Sequence, residues 1–163
     1  MPAILTLLIL RHAKAEHGEG LPDVERPLAK RGRRAAKRVG ELLAERPPDL
    51  VLASSALRTR ETVAGFSHGA SYAGPVKLLD SLYLAEPSAY LAALAEHGGA
   101  ARRVLLVGHN PGLEELVAAL TGERVRLPTA ALAECTLPID AWSDVTRDTR
   151  AELVGLSYPR DDD

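Results

Sequence analysis

The stretch Ile4-Leu5-Thr6-Leu7-Leu8-Ile9-Leu10-Arg11-His12 decides the fold. The run from Ile4 to Leu10 is apolar except for one threonine and reads as a buried strand. A second buried strand, Val104-Leu105-Leu106-Val107, lies near the far end and runs into Gly108-His109-Asn110. Each histidine therefore stands where a buried strand passes into a loop. In an open α/β sheet those carboxyl ends are where ligands bind. Two such histidines, with Arg11 and Arg58 in their company, make a small anion pocket that contains a nucleophile. That combination points to phosphoryl transfer.

Between these strands, short buried runs alternate with longer amphipathic ones, the pattern of βαβ units around a largely parallel sheet. Leu28–Glu45 reads as a helix with Ala35, Ala36, Val39, Leu42 and Leu43 on one face and Arg34, Lys37, Arg38, Glu41 and Glu45 on the other. Pro47-Pro48 stops it. Leu50–Ala53 is the next strand, and Ser54-Ser55 offers hydroxyls to cap a helix from about Ala56 to Ala64. Pro75–Leu79 reads as a third strand. Pro87–His97 reads as a helix that Gly98-Gly99 ends. Arg103–Val107 is the following strand, and Asn110-Pro111 opens a helix to Leu120. Ala131–Leu137 and Ala151–Tyr158 read as strands near a sheet edge, and a frayed tail is expected over 158–163.

At 163 residues the chain has the length of one domain, expected over 1–163. A composition 46% hydrophobic and 26% charged is that of an ordinary globular protein. The net charge of −2 gives no bulk electrostatic reason to expect nucleic acid or an anionic membrane as partner. The single cysteine, Cys135, excludes an intrachain disulfide and a multi-thiolate zinc site. Ile4–Leu10 is too short to span a bilayer and lacks signal-peptide flanks, so a cytoplasmic location is expected. A monomer is expected as well.

Arg11-His12 follows a strand that fixes the backbone, so the imidazole can be aimed. A neutral imidazole nitrogen can attack phosphorus and split one displacement into two easier ones. The planar fork of Arg11 suits a phosphoryl group. His109 repeats the geometry: Asn110 can cap, Pro111 fits the first helical position, and the free N–H groups of that helix start form an anion seat. A protonated His109 there would donate to a phosphoryl oxygen. Arg58 falls in the first turn of the helix after Ser54-Ser55. Arg60, two positions on, cannot share its face and reads as a surface group. The basic run Lys30-Arg31-Gly32-Arg33-Arg34 has no interleaved aromatics and reads as a solvated helix face. His97 reads as a cation near a helix C-terminus, and Cys135 as a core residue.

Four strings, LILRHAKAE (8–16), RPLAKRG (26–32), VLASSALRTRET (51–62) and VLLVGHNPGLEELV (104–117), resemble in order and spacing the histidine phosphatase superfamily, and look most like its small SixA-type phosphohistidine phosphatases. The resemblance runs from about Ile4 to Leu120, and Leu127-Pro128-Thr129-Ala130 fits it too. It implies a three-layer α/β/α sandwich with a mostly parallel central sheet, as in phosphoglycerate mutase. It further implies that His12 becomes phosphorylated and that Arg11 and Arg58 clamp the phosphoryl oxygens. His109 would complete the pocket, with Asn110 beside it on the phosphate side. No metal and no cofactor is implied.

Two positions depart from the family pattern. Many members have glycine where this chain has Ala13. Mutase-like members carry a glutamate as general acid after the third strand, where Glu86 is the nearest candidate. Expelling an alkoxide needs a proton donor of matched pKa, whereas imidazole, with a pKa of about 6.5, leaves readily once protonated. A site with several phosphate-binding groups and no obvious acid therefore favours phosphohistidine on a protein. A small phosphorylated molecule, or phosphate recognition without turnover, are the alternatives.

Overall fold

The computed structural model describes residues 4–159. Six strands and four helices follow one another along the chain: β1 (Leu5–Arg11), α1 (Lys30–Leu42), β2 (Leu50–Ser54), α2 (Leu57–Ala70), β3 (Val76–Leu79), α3 (Pro87–His97), β4 (Arg103–Gly108), α4 (Gly112–Thr121), β5 (Leu132–Leu137) and β6 (Glu152–Ser157). They form one sheet in the order β3-β2-β4-β1-β5-β6. The first four positions are parallel, and β5 runs antiparallel to both β1 and β6.

The apolar run of β1 serves both faces of this sheet. Leu7 and Ile9 join the core built with Tyr90, Leu94, Leu113 and Leu116 of α3 and α4. Leu8 and Leu10, pointing the other way as strand geometry requires, join the core built with Ala36, Val39, Val63 and Phe66 of α1 and α2. The result is the expected three-layer α/β/α arrangement with β1 and β4 at its centre. Because β1 and β4 are parallel and paired through Arg11↔Gly108, their carboxyl ends lie together. His12 and His109 are thereby brought to one edge.

Several boundaries differ from the sequence expectation. Helix α1 covers Lys30–Leu42 rather than 28–45, and Leu42 is 58% exposed instead of buried. Helix α2 continues to Ala70, past the expected end at Ala64, because Phe66 and Ala70 are buried against α1. Gly65 and Gly69, in this added stretch, are close-approach points to α1. A Cβ on Gly69 would stand 2.0 Å from the Lys37 carbonyl, and one on Gly40 2.1 Å from that of Phe66. Pro111 is the N-cap of α4 rather than its first residue, and Asn110 makes no capping bond: its side-chain NH2 donates to the Leu127 carbonyl at 2.8 Å. Of the expected tail, Tyr158 and Pro159 continue beyond β6 without regular structure, and 160–163 lie outside the described residues.

Candidate active site

The two histidines meet at the end of β1 and β4, their ring centroids 5.4 Å apart. The His12 N–H donates to the Gly108 carbonyl at 3.1 Å, continuing the parallel ladder one residue beyond β1. A turn at Pro128–Ala131 straps this end from the other side. The Ala130 N–H reaches the carbonyls of Arg11 and His12, and the Arg11 N–H reaches that of Ala131. Ala130 takes a φ of +64° to do so, a left-handed conformation unusual for a residue with a Cβ.

His12 is buried, and its Nδ1 lies 2.8 Å from the Ala13 carbonyl. A carbonyl only accepts, so Nδ1 carries the proton and Nε2 keeps a bare lone pair. Burial pushes the ring pKa down to about 4. The Ala13 bond opposes that shift, while the positive charges of Arg58, Arg11 and Arg26 add to it. The imidazole is thus neutral at physiological pH, with Nε2 unprotonated. Ala13 is itself fixed, donating its N–H to Thr62 Oγ1 at 3.0 Å.

His109 is held at three points. Its backbone N–H donates to the Tyr90 hydroxyl at 3.1 Å, Nε2 lies 2.8 Å from Ser54 Oγ, and Nδ1 lies 3.5 Å from Arg58 Nη2. A guanidinium only donates, so Nδ1 accepts and the Nε2–H goes to Ser54. Burial first, then His12 and Arg58, push this ring down to about 3. The protonated donor expected from the sequence is therefore not the resting state of His109. The ring is neutral, and its single N–H, on Nε2, is donated to Ser54 Oγ.

The two arginines are held differently. Arg58, only 3% exposed in the first turn of α2, gives Nη1 to the Asp23 carbonyl at 2.8 Å and Nη2 to the Asp23 carboxylate at 3.0 Å. Thr59 and Thr62 anchor that turn through the carbonyls of Ser54 and Arg58, each at 2.7 Å. Arg11 gives Nη1 to the Leu127 carbonyl at 3.2 Å, the same oxygen that takes the Asn110 amide, while its Nε is buried with no protein partner. A buried guanidinium N–H left over in this way is what an incoming anion satisfies. Arg60 stays outside, exposed and bonded to the Ser55 carbonyl.

Glu86 does not join this cluster. It is the N-cap residue of α3, exposed, without a capping bond, and lines a cleft shared with Arg147 and Arg150. Among the described residues no group of three or more His, Cys, Asp or Glu is arranged to hold a metal ion. No helix among them is long and apolar enough to cross a membrane.

Four residues around the site, Asp23, Tyr83, Tyr90 and Thr62, had no role assigned from the sequence, and Ser54 had a different one. Asp23 holds Arg58, and Tyr83 donates its hydroxyl to the Asp23 carboxylate and sets its ring edge-on to His109. Tyr90 and Thr62 fix the backbone, and Ser54 receives His109 rather than capping α2. Asp23 stands three residues ahead of the string that begins at Arg26, and Tyr83 lies in the segment searched for an acid. Neither carries a periodicity or spacing that marks it.

The family model of the histidine phosphatase superfamily (branch 1) matches residues 7–83. Similar solved structures span nearly the whole chain. A candidate phosphohistidine phosphatase SixA from Nakamurella multipartitia is 29% identical with a TM-score of 0.87, covering 98% of this chain and 99% of its own. One from Agrobacterium tumefaciens is 30% identical with a TM-score of 0.79 and the same coverage. The protein histidine phosphatase SixA in complex with tungstate is 25% identical with a TM-score of 0.77, covering 93% of this chain and 96% of its own. With two histidines and two arginines gathered at the carboxyl edge of a matching sheet, the chain belongs to the histidine phosphatase superfamily and is a hydrolase of the phosphatase class.

Proposed function

We propose that the protein removes the phosphoryl group from phosphohistidine on a protein, with His12 as the nucleophile. The observation that carries this reading is the His12 tautomer: Nδ1–H bound to the Ala13 carbonyl leaves Nε2 unprotonated toward the pocket. Arg11, with its unpartnered Nε–H, and Arg58 supply the charge that receives a phosphoryl dianion. Asn110 sits beside them and keeps the Leu127 carbonyl in place under Arg11.

In the first step Nε2 of His12 attacks phosphorus in line. The bond from phosphorus to the substrate imidazole breaks, and its electron pair returns to that ring, which enters already protonated on its other nitrogen and departs as neutral imidazole. In the second step water attacks the phosphoryl group on His12, releasing inorganic phosphate and restoring the neutral ring. A bound dianion raises the proton affinity of His109, and a proton taken up from solvent on Nδ1, in place of its contact with Arg58, lets the ring donate to the charge that develops on the phosphoryl oxygens. Positioning and charge stabilisation account for most of the rate in this chemistry.

The proton inventory supports this substrate class. Asp23 is ionised, its carboxyl held well below the usual range by the Tyr83 hydroxyl and by Arg26 and Arg58. Glu86 faces another cleft. A leaving group that needs no strong proton donor, such as imidazole, fits this site better than an alkoxide.

Hydrolysis of a phosphohistidine protein, set beside a phosphoserine peptide with a chelator present, tests the reading. The wild type is expected to turn over phosphohistidine and not phosphoserine, and His12→Ala to lose all turnover. Efficient release of phosphate from phosphoserine would reject the substrate class, and undiminished activity in His12→Ala would reject the nucleophile.

A further inference from the structure

Arg26 opens the string Arg26-Pro27-Leu28 at the rim of the pocket's Asp23–Arg58 pair. Its Nε donates to the Glu16 carbonyl at 2.9 Å and its Nη1 to Asp23 Oδ1 at 3.0 Å. The second carboxylate oxygen of Asp23 takes Arg58 Nη2 at 3.0 Å, so one carboxylate ties two guanidinium groups together. Arg58 is buried, and the Arg26 side chain remains 28% exposed with its Nη2 not engaged in either bond.

An ordinary surface pair three residues apart would be worth little and would need no preparation. This one is built. Gly18 makes room for the Arg26 stem: a Cβ there would stand 2.7 Å from Arg26 Cγ, and the φ of +68° at Gly18 already favours glycine. The segment after Arg26 is pinned to α2, the helix of Arg58, by the Leu28 N–H on Glu61 at 2.7 Å. A one-pair bridge between Ala15 and Leu28 closes the loop onto the segment that follows His12. Arg26 is also one of the three cations whose charge bears on the His12 ring.

We propose that Arg26 is a third guanidinium of the phosphoryl pocket and that Asp23 positions it by tying it to Arg58. Arg26 then takes an oxygen of the substrate's anionic group that Arg11 and Arg58 leave free, and Asp23 acts only through the two arginines. This rests on the reading of the His12 pocket as the phosphoryl site.

The test is tungstate binding by titration calorimetry together with phosphohistidine-protein kinetics, on folded protein verified by circular dichroism. Arg26→Met is expected to weaken tungstate about tenfold and to raise KM by a similar factor with kcat little changed, the mark of lost binding rather than lost chemistry. Arg26→Lys, which keeps the charge without the fork, should recover part of the loss. Asp23→Asn should weaken tungstate at least as much as Arg26→Met, and the double variant should be no worse than Asp23→Asn alone, because the two act through one contact. Tungstate binding and KM unchanged in Arg26→Met, or strictly additive losses in the double variant, would overturn the proposal while an inactive His12→Ala left the pocket reading intact. Activity persisting in His12→Ala, or no tungstate binding by the wild type, would overturn the pocket reading and this proposal with it.

Discussion

In the proposed reaction His12 acts as nucleophile at neutral pH because two effects act on one ring. A carbonyl fixes which nitrogen holds the proton, and burial among arginines keeps the other bare. Histidine resonances followed by NMR should therefore show His12 titrating near pH 4 and His109 near pH 3, with no inflection from either ring at 6.5. An inflection at 6.5 from His12 would mean that the ring is solvated and freely rotating. Ser54 has a narrower duty, receiving the His109 Nε2–H at 2.8 Å. Ser54→Ala removes the partner that selects this tautomer, and kcat is expected to fall about tenfold with KM nearly unchanged, measured on the phosphohistidine protein. Asp23 and Tyr83 show why the sequence was silent about them. A carboxylate in a short turn has no pattern of its own, and its meaning comes only from the buried Arg58 that the fold delivers to it.

Helices α1 and α2 pack through glycines, and that packing carries Arg58 to its place. With a Cβ on Gly40 only 2.1 Å from the Phe66 carbonyl, the two backbones lie as close as side-chain-free contact permits. Gly40→Ala must push α1 and α2 apart, and a loss of about 1–3 kcal/mol is expected from urea unfolding, as for other overpacked cores. Retained stability would mean that the helices can separate at no cost. Most strands and helices were legible because their periodicities are strong: β1, β4 and α3 stand within a residue of where the apolar pattern puts them. The end of α2 was not legible, since the helix beyond Ala64 is held by close approach to α1 at Gly65 and Gly69, which no local pattern encodes. Asn110 and Pro111 misled for a related reason. The sequence suggests a cap, but the Leu127 carbonyl 17 residues away claims the amide.

Across the whole molecule, parallel pairing of β1 with β4 places the two histidines side by side, and it does so at a cost in acid stability. Both rings have folded pKa values below the unfolded value of 6.5, so the unfolded chain takes up protons first as the pH falls. Their contribution to stability is whole above about pH 6.5 and is lost progressively toward about 4 for His12 and about 3 for His109. The urea midpoint should therefore fall between pH 7 and pH 4, and the fall should be shallower in His12→Gln, which has no charge to gain; an equal fall in both would place the acid sensitivity elsewhere. The pairing of the four site residues was itself readable from the sequence, because each follows a strand end and those ends converge in a parallel sheet. In the proposed reaction His12 carries the phosphoryl group in passing. The most direct measurement is rapid acid-free quenching of the wild type with a radiolabelled phosphohistidine protein, followed by locating the label on the enzyme by mass spectrometry. Label on His12, absent from His12→Ala and chased off by unlabelled substrate, is the predicted result. Turnover with no label at His12, or label on another residue, would contradict it.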